Sequence, residues 1–393
     1  ATPEFYTLSL HDALPIFTLY AIYTAAVAMP ISISLTQMAI AVAVLSALAE
    51  WFTAPGPRPD LRIGLEKAFA LYVAAELLAF LFSTNHLESF FFMKRLLLIL
   101  VVYITALHVR DVKTYRTVLL LVLIGLTLYS ILGLYTFFTT SSIRLRHIHN
   151  SMTAGGLTMM AVLLCAALFV YEKQKKRAIT WLAAFLINAA ALLLTSTRSA
   201  WLGALLGLIV IFFIADKRYL LILPAIMAAF YFFTPRGIAY HIQHVFDPGW
   251  GTNVERLAMW STGLKIIRDY PLFGIGDVST QAMFQRYMPP DFTYLIGHFH
   301  NNWVHIAVTL GLAGLLAFAY MMIVIYIRLS TALAAAAAQP YTVRSGVLAA
   351  LAIFCGFHVS GLFEWNFGDA EIITMVWFFT GMTMATLLWS RQS

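Results

Sequence analysis

The run "GHFHNNWVHIAVTLGLAG", Gly297 to Gly314, sets His298, His300, His305, Asn301 and Asn302 at the mouth of a segment that then turns almost wholly apolar. Histidine titrates near neutral pH, so a hydroxyl brought to this mouth would find a base. Arginine supplies a second set. Arg144 and Arg146 stand in "SSIRLRHIHNSMTAGG", Arg198 in "LLLTSTRSAWLG" and Arg256 in "NVERLAMWSTGLKIIRDYPLFGIG". The guanidinium fork pairs bidentately with phosphate oxygens, so these arginines suit a diphosphate. A diphosphate leaving group needs charge stabilisation but no general acid. A base beside an arginine clamp therefore makes a coherent glycosyl-transfer site, with electrostatic stabilisation the larger contribution. His147 and His149 accompany the first arginines, and "FEWNFGDAE" adds Glu364, Asn366, Asp369 and Glu371. The sequence shows no Asp-x-Asp pair and no Cys/His spacing for zinc, so neither a metal nor another cofactor is expected. "GIG" lacks the lysine of a phosphate loop and the strand–helix setting of a dinucleotide site.

Membrane helices must position these groups. Of the 393 residues 61% are hydrophobic and 11% charged, whereas soluble domains are about half apolar and about a quarter charged. Twelve segments approach the ~20 apolar residues that a bilayer demands. They are centred near Tyr23, Val42, Ala74, Val101, Leu126, Leu163, Ile187, Leu208, Ala228, Val308, Ile353 and Phe379. The expected fold is all-α: one polytopic membrane domain over 1–393 with about twelve transmembrane helices. Cys165 and Cys355 both fall inside apolar segments, which leaves no disulfide framework.

The net charge of +7 reports orientation rather than nucleic acid, because cytoplasmic loops are enriched in Lys and Arg. A cytoplasmic N-terminus places Arg58, Arg62 and Lys67, then Arg110, Lys113 and Arg116, then Lys173, Lys175, Lys176 and Arg177 on the inside. Lys217, Arg218, Arg328, Arg344 and Arg391 join them. Arg236, Arg256, Lys265, Arg268 and Arg286 lie in the long loop 235–298 between the ninth and tenth spans, and long loops escape the rule. Both termini are expected inside and that loop outside. Residues 1–16, with "EFYTLSLHDALPI", fit poorly with the apolar span after them and are read as non-native or unstructured, with no cleavable secretory signal expected.

The exceptions carry information. Arg198, hemmed in by Ser196, Thr197 and Ser199, sits where an ionisable group is costly and usually faces a cavity or a partner. For Arg144 and Arg146, snorkelling to headgroups is an equal alternative. In the long loop, Asn253 reads as an N-cap with Glu255 in the first turn. Arg256, Trp260, Gly263 and Ile267 share one face of that helix, and Pro271 ends it before a glycine turn. The expected element is an amphipathic helix on the outer leaflet. Gly311 falls on the His300 stripe roughly 16 Å deeper, and with Gly314 offers a small-residue face to another helix. His305 lies about 140° around from His300.

"HNNWVHIAVTLGLAG", His–Asn followed after nine residues by Gly–x–x–Gly, resembles the signature of bacterial O-antigen ligases. Their superfamily includes O-antigen polymerases and protein O-oligosaccharyltransferases. "STRSAWLG", "ERLAMWSTGLKIIRDYPLFGIG", "HNSMTAGGL" and "FEWNFGDAE" extend the resemblance from about His149 to Glu371. It implies an inverting glycosyltransferase that needs neither metal nor nucleotide. Such an enzyme moves glycan from undecaprenyl diphosphate to the lipid A-core, on the periplasmic side of the bacterial inner membrane, in lipopolysaccharide biosynthesis. By the same resemblance His300 is the base, Arg198 and Arg256 hold the diphosphate, and Arg144 or Arg146 adds to the clamp. Asn301, His298, His149, Trp260, Glu364, Asn366 and Asp369 are then supporting or acceptor-side residues. The partners are the lipid-linked glycan, the lipid A-core and membrane lipids, with no nucleic acid. A polymerase or protein-glycosylating relative is the alternative. A transporter of lipid-linked sugars is the reading from another class; its one support is Glu76 in "LYVAAELLAF", either a proton relay or a packing carboxyl bonded to a hydroxyl.

Overall fold

The computed structural model describes residues 10–53, 60–140, 142–233, 247, 249–288 and 297–389. Arg58, Arg236 and Arg391, which bear on orientation, lie outside them, as do residues 1–9. Every regular element among the described residues is helical. The first half comprises α1 (Leu10–Ala28), α2 (Ile33–Thr53), α3 (Glu66–Leu81), α4 (His86–Phe92), α5 (Leu100–His108), α6 (Val112–Thr139) and α7 (Ser151–Tyr171). The second comprises α8 (Lys175–Leu194), α9 (Arg198–Ala215), α10 (Leu223–Phe233), α11 (Gly251–Asp269), α12 (Gln281–Tyr287), α13 (Asn302–Ala335), α14 (Tyr341–Ser360) and α15 (Ala370–Trp389).

All twelve apolar segments are helical. Among the described residues nine helices are long and apolar enough to cross a membrane, counting the continuous run His86–His108 as one. The apolar stretch Ala13–Ala28 is shorter, and α3, with 16 residues, and the 11 residues of α10 also fall short of that length. The protein is an all-α polytopic membrane protein. α7, α14 and α15 are buried along most of their length and form the centre of the bundle. α2 turns Leu35, Met38, Val42 and Leu45 outward, as a lipid-facing helix does. The first helix starts at Leu10, so residues 10–16 are helical rather than unstructured. Leu14 is buried, and the Thr18 hydroxyl donates to the Leu14 carbonyl and meets Ser46 of α2 at 2.8 Å.

Polar residues in the turns start the helices. Asp111 caps α6, Asn150 caps α7 and Asn301 caps α13, each side-chain oxygen accepting one or two of the orphan N–H groups of the first turn. In the long loop the cap differs from expectation. α11 begins after Trp250, so Asn253 lies inside the first turn. Its side chain instead donates to the Asp247 carbonyl and accepts from Arg198. Nor does α11 simply lie on a leaflet. Met259, Thr262, Gly263 and Ile266 are buried, and the helix packs with Ile275, Phe284, Phe299 and Val308 in a small second core.

Gly311 does not lie on a continuous helical stripe. α13 is broken there, with Gly311 at φ 64° and ψ −164°. The Val308 and Thr309 carbonyls accept from the Ile275 and Gly276 N–H groups at 3.0 and 2.9 Å. Beyond the break, the Leu312 and Ala313 N–H groups donate to the Pro271 and Leu272 carbonyls at 2.9 and 3.1 Å. The "PLFGIG" turn thus lends its backbone to the interrupted helix, which must satisfy its polar groups internally if it is to cross a membrane. A Cβ on Gly311 would run into the Leu272 and Phe273 backbone, and one on Gly274 (φ 66°) into the Val308 and Thr309 carbonyls. The glycines open the helix to a turn instead of offering a stripe to another helix. Periodicity could not reveal this, because a glycine in a helix and one at positive φ look alike in sequence.

Candidate functional site

The break, the capping asparagine and the 361–369 turn together place His300. Asn301 accepts from the Trp303 and Val304 N–H groups and donates through Nδ2 to the Leu362 carbonyl at 2.9 Å. Asn302 bridges the same turn: its N–H donates to the Gly361 carbonyl and its side chain accepts from the Phe367 N–H. Trp260 of α11 donates from Nε1 to the Phe299 carbonyl at 3.0 Å. His300 is left with φ 46°, a left-handed conformation that costs a non-glycine residue about 1–3 kcal/mol. Ser196 (φ 55°) is the other such residue among the described ones, and it stands two positions before Arg198.

Sequence alone does not pair His300 with Glu364, yet the two are in direct contact. His300 Nδ1 lies 2.7 Å from Glu364 Oε1, and both residues are buried. Burial pushes the Glu364 carboxyl upward, but the His300 hydrogen bond and the charges of His300, His298 and Arg256 more than offset it, so Glu364 stays ionised below its ordinary value. Glu364 Oε2 is buried without a partner. His298 packs edge-on against His300 with ring centroids 4.2 Å apart, and its Nδ1 accepts from the His300 N–H at 3.4 Å. Burial and then the His300 charge push His298 down to about 4, against the pull of Glu364. It is neutral at physiological pH.

The arginines converge on this pair. Arg144 and Arg256 feel each other's charge and that of Glu364, and burial lowers both below the ordinary arginine value. Arg198 lies within the field of both. Arg144 is held by the Thr195 and Ser196 carbonyls, each at 3.1 Å. Arg198 Nη2 donates to Thr252 Oγ1 at 2.7 Å and Asn253 Oδ1 at 3.2 Å, while its Nη1 is buried without a partner. Arg144 and Arg256 thus lie within the field of one carboxylate, with Arg198 and its unmet donor beside them.

Several expected residues stand apart. Arg146 is exposed and takes no part in the cluster. His305 is buried against Trp365, with ring centroids 3.8 Å apart, away from His300. His149 contacts Glu371 at 3.4 Å and the Pro30 carbonyl at 3.3 Å. Burial lowers its pKa, with the Pro30 carbonyl and the Asp369 charge opposing. Asp369 accepts from the Thr153 hydroxyl at 2.5 Å, and Asn366 is buried beside it in the same turn. His149 and Asp369 thereby tie the Arg144 loop to the turn that carries Glu364. His298, His300 and Glu364 also form a group of metal-ligand types, their candidate atoms all within 4.8 Å of one another. Ligand spacing along the chain does not reveal this group, because Glu364 stands far from the histidines in sequence.

Chemically, arginines gathered near a buried His–Glu pair in a helical bundle can hold an anion beside a base. Residues 183–319 match the family described as O-antigen ligase. Over those residues the chain is similar to that family, and the match supports glycan transfer of the ligase or polymerase type. The matched stretch runs from α8 into α13 and contains Arg198, Arg256, His298 and His300; Arg144 and Glu364 lie outside it. No curated protein matches the chain.

Proposed function

We propose that the protein is an O-antigen ligase of the bacterial inner membrane, with both termini cytoplasmic and this site on the periplasmic side. The donor is glycan on undecaprenyl diphosphate and the acceptor a sugar of the lipid A-core. One observation carries the reading: Arg144, Arg198 and Arg256 crowd together with an unmet Arg198 donor beside a His300–Glu364 pair. A diphosphate in the cluster relieves the repulsion and takes up bidentate donors. Glu364 accepts from His300 Nδ1–H, which leaves Nε2 as the basic nitrogen, an assignment made from the hydrogen bond. The acceptor oxygen attacks the anomeric carbon and passes its proton to Nε2. The sugar–phosphate bond breaks, its electron pair leaves on the diphosphate, and the arginines hold the new charge. A single displacement of this kind inverts the anomeric centre.

Purified protein offered lipid-diphosphate-linked glycan together with lipid A-core, a second lipid-linked glycan and a pilin-like protein decides the acceptor. Product on lipid A-core is expected. Extension of the second glycan, or label on the protein alone, would replace the ligase reading by one of its relatives. The same assay with EDTA should be unaffected; loss restored by zinc would give His298, His300 and Glu364 to a metal.

A further inference from the structure

Deeper in the bundle than His300, at the break in α13, lies a second polar centre that the proposed reaction leaves unused. Tyr72, Glu76, Arg95, Asp277, Thr309 and Trp365 line a cavity of about 30 Å³, room for roughly two waters. Glu76 and Asp277 are each 6% exposed. Glu76 Oε1 accepts from the Tyr72 hydroxyl at 2.8 Å, whereas Oε2 is buried and has no partner. Asp277 has Arg95, whose Nη1 lies 3.4 Å from both carboxylate oxygens. The charged and titratable groups facing the pair are Arg95, Glu88 at the Asp277 side and the Tyr72 hydroxyl. Glu88 is otherwise engaged, since it accepts from the Ser279 N–H at 3.1 Å. Two buried carboxyls therefore share one guanidinium, which leaves one negative charge uncompensated where such a charge is costly.

We propose that this cavity is a proton-binding site in which Glu76 and Asp277 share a single proton through cavity water at neutral pH. The proton cancels the surplus charge and gives the orphaned Oε2 a hydrogen-bonding role. Burial, opposed by Arg95 and reinforced by Glu88, holds Asp277 above the usual carboxylate range, in keeping with this. The site reports on α13 because Asp277 comes directly after Gly276, whose N–H bonds the Thr309 carbonyl at the break. When the proton leaves, two carboxylates compete for Arg95 and the turn loses its anchor. Transfer activity should then fall on the alkaline side, a consequence that rests on the proposed role of His300.

Infrared spectroscopy of the detergent-solubilised protein tests the site without any assay of transfer. In an Asp369→Asn background, which removes the other buried carboxyl held near neutrality, the protein should show the carbonyl stretch of one protonated, buried carboxylic acid at neutral pH, fading only at alkaline pH. Glu76→Gln and Asp277→Asn should each lose it, since either substitution lets Arg95 balance the remaining carboxylate. Arg95→Gln should about double it. A folded Asp369→Asn protein without the band overturns the proposal whether or not the further variants fold. Melting in sodium chloride against choline chloride is the second arm. Equal Tm values are expected; a sodium-dependent rise in Tm absent from Glu76→Gln would make this a metal-cation site and overturn the proton. Glu76→Gln should also keep its transfer activity to higher pH than the wild type. Loss of that effect with the infrared result intact would count against His300 as base and leave the proton site standing.

Discussion

Replacing Glu364 by Gln removes one charge and no volume, and its effect stems from the 2.7 Å contact with His300 Nδ1. In the proposed mechanism the carboxylate accepts the Nδ1 proton and so keeps Nε2 basic. A glutamine amide can donate to Nδ1 instead, which moves the ring proton to Nε2, where the acceptor hydroxyl should deliver its own. Positioned general-base catalysis contributes about 10²- to 10⁴-fold, and the analogous carboxylate-to-amide change in a serine protease costs about 10⁴. At 1.36 kcal/mol per decade, a loss of about 10²- to 10⁴-fold in kcat corresponds to roughly 3–5 kcal/mol of barrier. Donor KM should move little, because Arg144 and Arg198 keep their own partners on other elements. Initial rates with labelled lipid-linked glycan, at saturating and limiting donor, separate the two parameters, and a melting curve checks the fold. A folded variant with kcat within threefold of the wild type would refute the assignment of Glu364 as the group that orients the base.

Arg198→Ala and Arg256→Ala each delete a charged donor worth about 1.5–3 kcal/mol. Each should raise the donor Kd about 10- to 100-fold by titration with the lipid diphosphate, with lysine restoring little because the fork is gone. Gly311→Ala forces a side chain into the Leu272 backbone at positive φ, so folded yield and Tm should both fall sharply, while Gly251→Ala, at a site with open space, should leave both unchanged. Burial raises Asp369 to about 7, with the Thr153 hydroxyl opposing and Glu371 reinforcing. A folded-state pKa above the unfolded value of about 3.9 means that the protonated form favours folding. That stability is complete below about pH 4 and is lost as pH rises towards 7, by up to about 1.4 kcal/mol per pH unit. Asp369→Asn should flatten this decline in Tm, and an unchanged slope would count against it.

Hydrophobic runs announce themselves because burial in lipid demands length, so each of the twelve apolar segments read from sequence is helical. The arginines were legible for a related reason: charge at a membrane boundary has to be explained. What separates Arg144 from Arg146 was not legible, since only the carbonyls of Thr195 and Ser196, some fifty residues away, capture one of them. The His300–Glu364 pair was invisible for the same reason, being made by two turns that the Asn301 and Asn302 side chains hold together. Local pattern also misplaced the cap of α11, where Asn253 serves Arg198 instead of the helix start.

The interruption of α13 also constrains how the chain can be assembled. Its two halves complete their hydrogen bonds only through Pro271, Leu272, Ile275 and Gly276, residues that leave the ribosome before the span itself. A nascent span that inserts ahead of the loop carries exposed amides and carbonyls into lipid. Maturation therefore has an order: the glycine turn of the loop must already be formed before the last helices can close around it.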